Sequence, residues 1–213
     1  MPSLFSDPAG FLFNALMILP GIVIGLSFHE FAHAWMADKL GDPTPRMQGR
    51  VTVSPFAHID PMGFLMLFLF RFGYGRPVQV NPAYFKHRRR DDILVSLAGV
   101  TMNFLLAILS GAVYLVMIRH LNVTNEILLD IVYYIMVINI NLMVFNLLPI
   151  PPLDGYHVVR DLFLHKNINF FWKFEQYGWL ILLVVLISGF SITWLNFLGN
   201  YVLRFISWIL QWI

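Results

Sequence analysis

The sequence contains no cysteine and few charged residues, and both shortages narrow the classes of function that fit it. With zero Cys among 213 residues, the chain has no disulfide, no thiolate metal site and no cysteine nucleophile. Only 12% of the residues are charged whereas 58% are hydrophobic, a composition typical of a multi-pass membrane protein. Any metal must therefore be bound by histidine and carboxylate side chains.

Basic residues are few, and their placement is one-sided. All fourteen Lys and Arg residues except Arg119 and Arg204 lie in or beside the loops that follow the first and third apolar segments. Because positively charged loops remain in the cytoplasm, the N-terminus is predicted to lie outside the cell. The placement of these charges, and not the net charge of +2, therefore indicates how the chain lies in the plasma membrane, and we expect no nucleic-acid partner.

Long apolar segments predict an all-α polytopic membrane protein with about five transmembrane helices. A bilayer core of about 30 Å needs roughly 20 apolar residues per helix. The segments cover about 9–40, 93–118, 127–148, 170–187 and 192–213. We expect one membrane domain over 1–213, with its core at about 20–160.

Two shorter segments lie between the first two long spans. Residues 62–72 are apolar but too few to cross a bilayer, which predicts a re-entrant segment. Residues 76–84 place Val78, Gln79 and Val80 between two prolines, a pattern that predicts a membrane-associated edge strand. An extended substrate could bind these three residues by strand addition.

The first span contains, toward its C-terminal end, the sequence His29-Glu30-x-x-His33. Helical residues four apart lie on one face, about 6 Å apart along the axis, so both imidazoles can reach one cation with Glu30 beside it. This arrangement suits zinc with an adjacent general base. The alternative is a pair of structural histidines, although ionisable residues in a membrane helix are costly and indicate a functional site.

A third ligand is available at the end of the third span, on the cytoplasmic side. Pro149, Pro151 and Pro152 cannot continue a helix, and they are followed by Asp154 and Gly155. Both segments end on the same side of the membrane, so Asp154 can meet His29 and His33. Taken alone, the prolines with Asp154 and Gly155 are also typical of a turn that simply ends a helix.

Together these motifs resemble the site-2 protease family, the intramembrane zinc metalloproteases of peptidase family M50. The matching elements are His29-Glu30-x-x-His33, Asn146-x-x-Pro149-x-Pro151-x-Leu153-Asp154-Gly155 and Ala98-Gly99-x-x-x-Asn103, although Val100 stands where many members have proline. The compact length without an inserted PDZ domain is similar to the minimal prokaryotic branch.

The resemblance implies one zinc ion per chain, bound by His29, His33 and Asp154, with Glu30 as general base and later acid. It also implies that Asn146 stabilises the oxyanion. Judged by its residue type alone, Asn146 could instead cap a helix or form an interhelical hydrogen bond. The implied substrate is the transmembrane segment of another protein, such as an anti-sigma factor or a signal-peptide remnant, cut in or near the bilayer.

Two further residues are candidate auxiliary groups. Asn103 could orient a catalytic group or form an interhelical hydrogen bond, and His58 could reach the zinc or belong to a turn between two prolines. Two rival functions also fit the ligand set: a membrane metal-ion carrier, and a catalytically inactive relative that only binds substrate. With only one compact ligand set and no ladder of intramembrane acids, the sequence favours a protease whose active site opens toward the cytoplasm.

Overall fold

The structure is a computed structural model that describes residues 6–63, 66, 75–163 and 168–213. These residues are mainly helical and form no β-strand; an isolated antiparallel bridge joins Ile59 to Gly75. The predicted all-helical class is therefore confirmed for the described part of the chain. Its α-helices are α1 Pro8–Lys39, α2 Thr44–Met47, α3 Pro55–His58, α4 Arg88–Arg119, α5 Glu126–Asn146, α6 Asp154–Phe163, α7 Ile168–Gln176, α8 Gly178–Ile187 and α9 Phe190–Ile209, with 3₁₀ turns at Pro82–Tyr84 and Leu210–Trp212.

Among the residues that the structure describes, three helices are long and apolar enough to cross a membrane. They are α1, α4 and α5, and the most apolar window of each has a mean hydropathy of 2.1. Side chains fix where two of them begin, since Asp7 accepts a hydrogen bond from the Gly10 N–H and Asn125 accepts one from the Leu128 N–H. Each bond satisfies a backbone donor that the first helical turn leaves free.

The predicted count of five spans is not confirmed near the C-terminus. Helices α7 and α8 are bent by 63° at Tyr177, and together they supply at most a fourth, broken span among the described residues. Helix α9 is not among the candidate spans. Its polar residues Asn196, Asn200 and Arg204 recur every fourth position, so they share one face and lower the hydropathy of the whole helix.

The three long helices pack closely because small residues lie between them. A methyl group at Gly21 would lie 3.1 Å from the Tyr134 carbonyl oxygen, and one at Gly25 would lie 2.6 Å from the Leu142 side chain. Both contacts bring α1 against α5. A buried apolar cluster then joins α4, α5 and the C-terminal end of α9 through residues such as Ala107, Val144 and Ile206.

The predicted edge strand is not confirmed. Residues 76–81 have no regular secondary structure, and Pro82–Tyr84 form a 3₁₀ turn in which a ladder cannot continue. Side chains of the preceding loop nevertheless hold this segment in place: Asp42 accepts a 2.7 Å hydrogen bond from the Asn81 N–H, and Gln48 donates one of 2.9 Å to the Gln79 side chain. The predicted re-entrant segment, 62–72, lies largely outside the described residues.

Candidate metal centre

Three potential ligand atoms from two distant parts of the chain lie within contact distance of one another. His29 and His33 occupy consecutive turns of α1 and are 5% and 7% exposed. Their Nε2 atoms are 3.0 Å apart, and the Oδ2 atom of Asp154 lies 3.3 Å from each of them. The described residues contain this one group of three metal-ligating side chains close enough to share an ion.

The turn between α5 and α6 delivers Asp154 to the histidines. Helix α5 ends at Asn146, and the proline-rich residues 147–153 lead to Asp154, the first residue of α6. A methyl group at Gly155 would lie 2.4 Å from the Leu147 carbonyl oxygen, so only glycine allows the chain to fold back this closely. Burial alone would raise the pKa of Asp154, but the neighbouring His33 and His29 outweigh it, lower that pKa and keep the carboxylate ionised.

The geometry of these atoms fits zinc. Zinc–nitrogen and zinc–oxygen bonds of about 2.0–2.1 Å in a tetrahedron place neighbouring ligand atoms about 3.3 Å apart. The three observed separations, 3.0, 3.3 and 3.3 Å, are close to that edge length. The Oδ2 atom of Asp154 is also buried without a hydrogen-bond partner among the described residues, as expected of an atom reserved for a cation.

Helix α4 fixes the orientation of both imidazoles. The Nδ1 atom of His29 lies 2.9 Å from Asn103 Oδ1, and the Nδ1 atom of His33 lies 2.8 Å from the Val95 carbonyl oxygen. Because these oxygens only accept, each Nδ1 carries a proton and donates it, so in the neutral form of each imidazole the Nε2 lone pair is left for a metal. Gly99 lies between the two contacts, where a methyl group would be 2.4 Å from His33 Nε2.

A cavity of about 400 Å³ opens beside the three ligands. Glu30, half-buried, lines it and accepts a 3.1 Å hydrogen bond from the Val78 N–H. Asn146 also lines it, while its side-chain N–H donates a 2.9 Å bond to the Leu142 carbonyl of its own helix. The cavity thus brings a carboxylate and an amide to the ligand group, the residue types required for proton transfer and oxyanion binding.

Comparison with known proteins places the chain in a family. The family model for peptidase family M50 matches residues 115–189, a stretch that includes Asn146 and Asp154. The chain is also 36% identical over 203 residues to "Putative zinc metalloprotease YwhC" of Bacillus subtilis (strain 168), a match that covers 91% of this chain and 88% of that protein. The chain belongs to peptidase family M50.

Other relatives have related names. "Putative zinc metalloprotease Rip2" of Mycobacterium tuberculosis (strain ATCC 25618 / H37Rv) is 31% identical over 179 residues, with 81% of this chain and 67% of that protein covered. Rip2 of Mycolicibacterium smegmatis (strain ATCC 700084 / mc(2)155) is 28% identical over 188 residues, covering 85% and 70%. No solved structure matches the chain. For an M50 chain with these relatives, zinc is the expected metal of the His29, His33 and Asp154 group.

The other sequence-predicted residues of this M50 chain differ in their relation to the cavity. Val78 and Val80 line it and are half-buried, whereas Gln79 between them is exposed and bonds Gln48. Asn103 on α4 contacts His29 on α1, and this contact fits both of its predicted roles, an orienting group and an interhelical hydrogen bond. His58 is fully buried outside the cavity lining, and its Nε2 lies 2.7 Å from the Thr52 carbonyl oxygen, which matches the turn alternative.

Four residues near the site were missed by the sequence analysis. Asp92, His157 and Arg160 also line the cavity, and the Val95 carbonyl contacts His33. A backbone carbonyl gives no sequence signal, but His157 and Arg160 lie within two turns of Asp154 on α6, so a helix beginning at Asp154 would have indicated them. Burial, and then the Arg160 guanidinium, lower the pKa of His157, which favours its neutral form.

Proposed function

We propose that this M50 chain is an intramembrane zinc protease of the site-2 type, which hydrolyses peptide bonds in or next to transmembrane segments of other proteins. The observation that carries the proposal is the position of the ligand group on a span: His29 and His33 are buried on α1, a 32-residue apolar helix, with Glu30 between them facing the same cavity as Asp154. Ligands and a base placed on a membrane helix are positioned for a substrate within or beside the bilayer.

The residues of the cavity divide the chemistry among them. His29, His33 and Asp154 would bind one zinc ion, and zinc held by three protein ligands lowers the pKa of a bound water toward about 7. Glu30 accepts a proton from the attacking water and later donates it to the leaving amine. Asn146 has a second side-chain N–H beyond the one given to Leu142, and this donor can stabilise the oxyanion, an effect of about 3–4 kcal/mol in comparable sites.

Residues Val78, Gln79 and Val80 are proposed to bind the substrate backbone. The Val78 N–H is already used by Glu30, but the N–H groups of Gln79 and Val80 have no hydrogen-bond partner among the described residues. The alternation of half-buried Val78 and Val80 with exposed Gln79 is that of an extended segment. A substrate that has unwound its own helix could therefore pair with the free edge, while its side chains are read only loosely.

We further propose that the protein lies in the plasma membrane with its N-terminus outside and its cavity opening toward the cytoplasm. The end of α1, the start of α4 and the end of α5 meet at the cavity, and the first two carry the basic residues Lys39, Arg88, Arg89 and Arg90. Positive loops favour the cytoplasmic side. The substrate on that side would be a membrane protein such as an anti-sigma factor or a signal-peptide remnant, in a regulated cleavage.

Replacement of Glu30 by glutamine tests the proposal. The full chain is purified in detergent and assayed for zinc content and for cleavage of a membrane-embedded peptide. We expect Glu30→Gln to keep zinc, because Glu30 is not a ligand, and to lose about 100- to 10,000-fold in cleavage rate. Glu126→Gln is the matched control, since Glu126 is exposed at the start of α5 and does not line the cavity.

The outcome separates the proposed function from its two rivals. Wild-type protein that moves zinc across liposomes without cleaving the peptide would indicate a carrier. Protein that binds the peptide without cleaving it would indicate an inactive relative. Equal cleavage by wild type and Glu30→Gln would show that Glu30 is not the base.

A further inference from the structure

The cavity also contains an ion pair, which connects α6, the helix that begins at Asp154, to α4, the helix that orients the two histidines. On α6, the Nη2 atom of Arg160 donates a 2.6 Å hydrogen bond to Asp92 Oδ2 on α4. Both side chains line the cavity, and they are 20% and 14% exposed. This burial distinguishes the pair from the exposed ion pairs that contribute little to stability.

Arg160 is held in place before it reaches across to α4. Its Nε atom donates a 3.0 Å hydrogen bond to Asp161 Oδ1, and its Nη2 atom lies 3.3 Å from Asp161 Oδ2. Asp161 is 6% exposed and belongs to the same helix, so this contact orients the guanidinium. The Asp161 side chain also interacts with Asp92 on α4. Because Asp161 already restricts the Arg160 side chain, Arg160 loses less conformational entropy when it bonds Asp92. The bond therefore fixes the relative position of α4 and α6 more effectively than one from an unrestrained arginine would.

The two helices joined by this pair hold different parts of the ligand group. Asp92 lies one turn before Val95, whose carbonyl accepts from His33, and α4 also contains Asn103, which accepts from His29. Helix α6 starts at Asp154. The ion pair therefore ties the third ligand to the frame that orients the first two.

Asp154 depends on such a tie because its carboxylate meets the histidines only through the ligand atoms themselves. Its Oδ2 atom lies 3.3 Å from Nε2 of His29 and from Nε2 of His33, and the preceding residues 147–153 form an irregular turn. Another polar contact of α6, the 3.1 Å bond from the Tyr156 hydroxyl to the Phe171 carbonyl, leads to α7 and not to the histidines. A metal site tolerates errors of only about 0.2 Å in ligand distance, so the attachment of α6 to α4 determines whether three ligands or two can bind.

We propose that Arg160 and Asp92 form a positioning device that holds Asp154 within reach of the zinc bound by His29 and His33. This inference rests on the zinc site of the proposed function. Arg160 and Asp92 are positioning residues, because they act on the metal through Asp154 and through α4. Their loss should weaken zinc binding in a chain that still contains all three ligands.

The test measures zinc affinity directly. The full chain and the variants Arg160→Gln, Asp92→Asn and the double variant are purified in detergent, and the dissociation constant of zinc is obtained by competition with a chelator of known affinity. Thermal midpoints are recorded with and without zinc. Arg46→Gln is the matched control, since Arg46 forms an ion pair with Asp38 but does not line the cavity.

We expect each single variant to bind zinc about 10- to 100-fold more weakly than wild type, the usual effect of losing a group that orients a ligand. The double variant should be no weaker than the singles, because the two residues act as one unit. Arg46→Gln should bind zinc like wild type.

Three results would overturn or redirect the inference. Unchanged zinc affinity in both single variants, even with lower midpoints of the zinc-free protein, would make the pair an ordinary structural contact. Additive losses in the double variant would show that Arg160 and Asp92 act separately. If Arg160→Gln does not fold, Asp92→Asn decides the question alone; if wild type itself binds no zinc, the proposed function fails and not only this inference.

Discussion

Gly99 is the position where the smallest chemical change should damage the metal centre most. Replacing Gly99 with alanine adds one methyl group to the middle of α4. That group would lie 2.4 Å from His33 Nε2, 2.6 Å from His29 Cε1 and 2.7 Å from His29 Nδ1. All three separations are too short for nonbonded atoms, which pack at about 3.5–4.0 Å.

The size of the effect follows from these distances. Restoring normal contact requires a shift of about 1 Å between α4 and the two imidazoles, roughly five times the tolerance of a metal–ligand distance. We therefore expect Gly99→Ala to lose at least about 100-fold in zinc affinity, at the upper end of effects measured for groups next to a ligand. Overpacking should also lower the free energy of unfolding by about 1–3 kcal/mol.

Helix propensity predicts the opposite effect of Gly99→Ala on stability. Alanine is favoured over glycine in a helix interior by about 1 kcal/mol, so propensity alone predicts a more stable protein. Zinc titration and the thermal midpoint of the zinc-free chain distinguish the two. Gly199→Ala in α9 is the control, because its methyl group would meet its nearest neighbour at an ordinary 3.8 Å. A Gly99→Ala protein that binds zinc as tightly as wild type would refute the reasoning.

Three further predictions concern the ligands, the topology and the substrate edge. His33→Ala and Asp154→Ala should each lose the single zinc, and folded variants that retain one ion per chain by elemental analysis would show the ligand set to be wrong. Cysteines placed singly at Ser3 and His87 should react with an impermeant reagent from opposite sides of the membrane, with no native cysteine to interfere; labelling of position 87 from outside would contradict the topology. Gln79→Pro removes a free backbone N–H and should greatly reduce cleavage at unchanged zinc content, whereas Gln79→Ala keeps that donor and should be milder. Equal cleavage by wild type and Gln79→Pro would exclude edge docking.

Hydropathy predicted the long helices well because their burial in lipid depends on composition. The first span was predicted at 9–40 and lies at Pro8–Lys39, and the third was predicted at 127–148 and lies at Glu126–Asn146. The largest difference is the start of α4, predicted at 93 and found at Arg88. Five charged residues precede the apolar stretch there, and they continue the helix outside the region that hydropathy can detect.

Features that depend on tertiary contacts were predicted less well. The segment of Val78 and Val80 alternates in burial as expected, but side chains from the loop of Asp42 and Gln48 hold it instead of a strand ladder. The bend between α7 and α8 likewise leaves no clear pattern in an apolar sequence.

The site shows the same division between local pattern and tertiary contact. The spacing of His29 and His33 and the prolines before Asp154 were visible in the sequence because both are local. Asp92 was not, because its partner Arg160 lies 68 residues further along the chain.

The contacts between α1 and α4 also restrict where the length of this chain can change. His33 meets Val95 and His29 meets Asn103, so the two helices run in opposite directions with Gly99 between the contacts. One residue inserted within either stretch would rotate everything beyond it by about 100° and carry one histidine or its acceptor off the shared face. Homologous chains that bind metal in this way should therefore align without gaps across 29–33 and across 95–103, and insertions should accumulate in the loops between them.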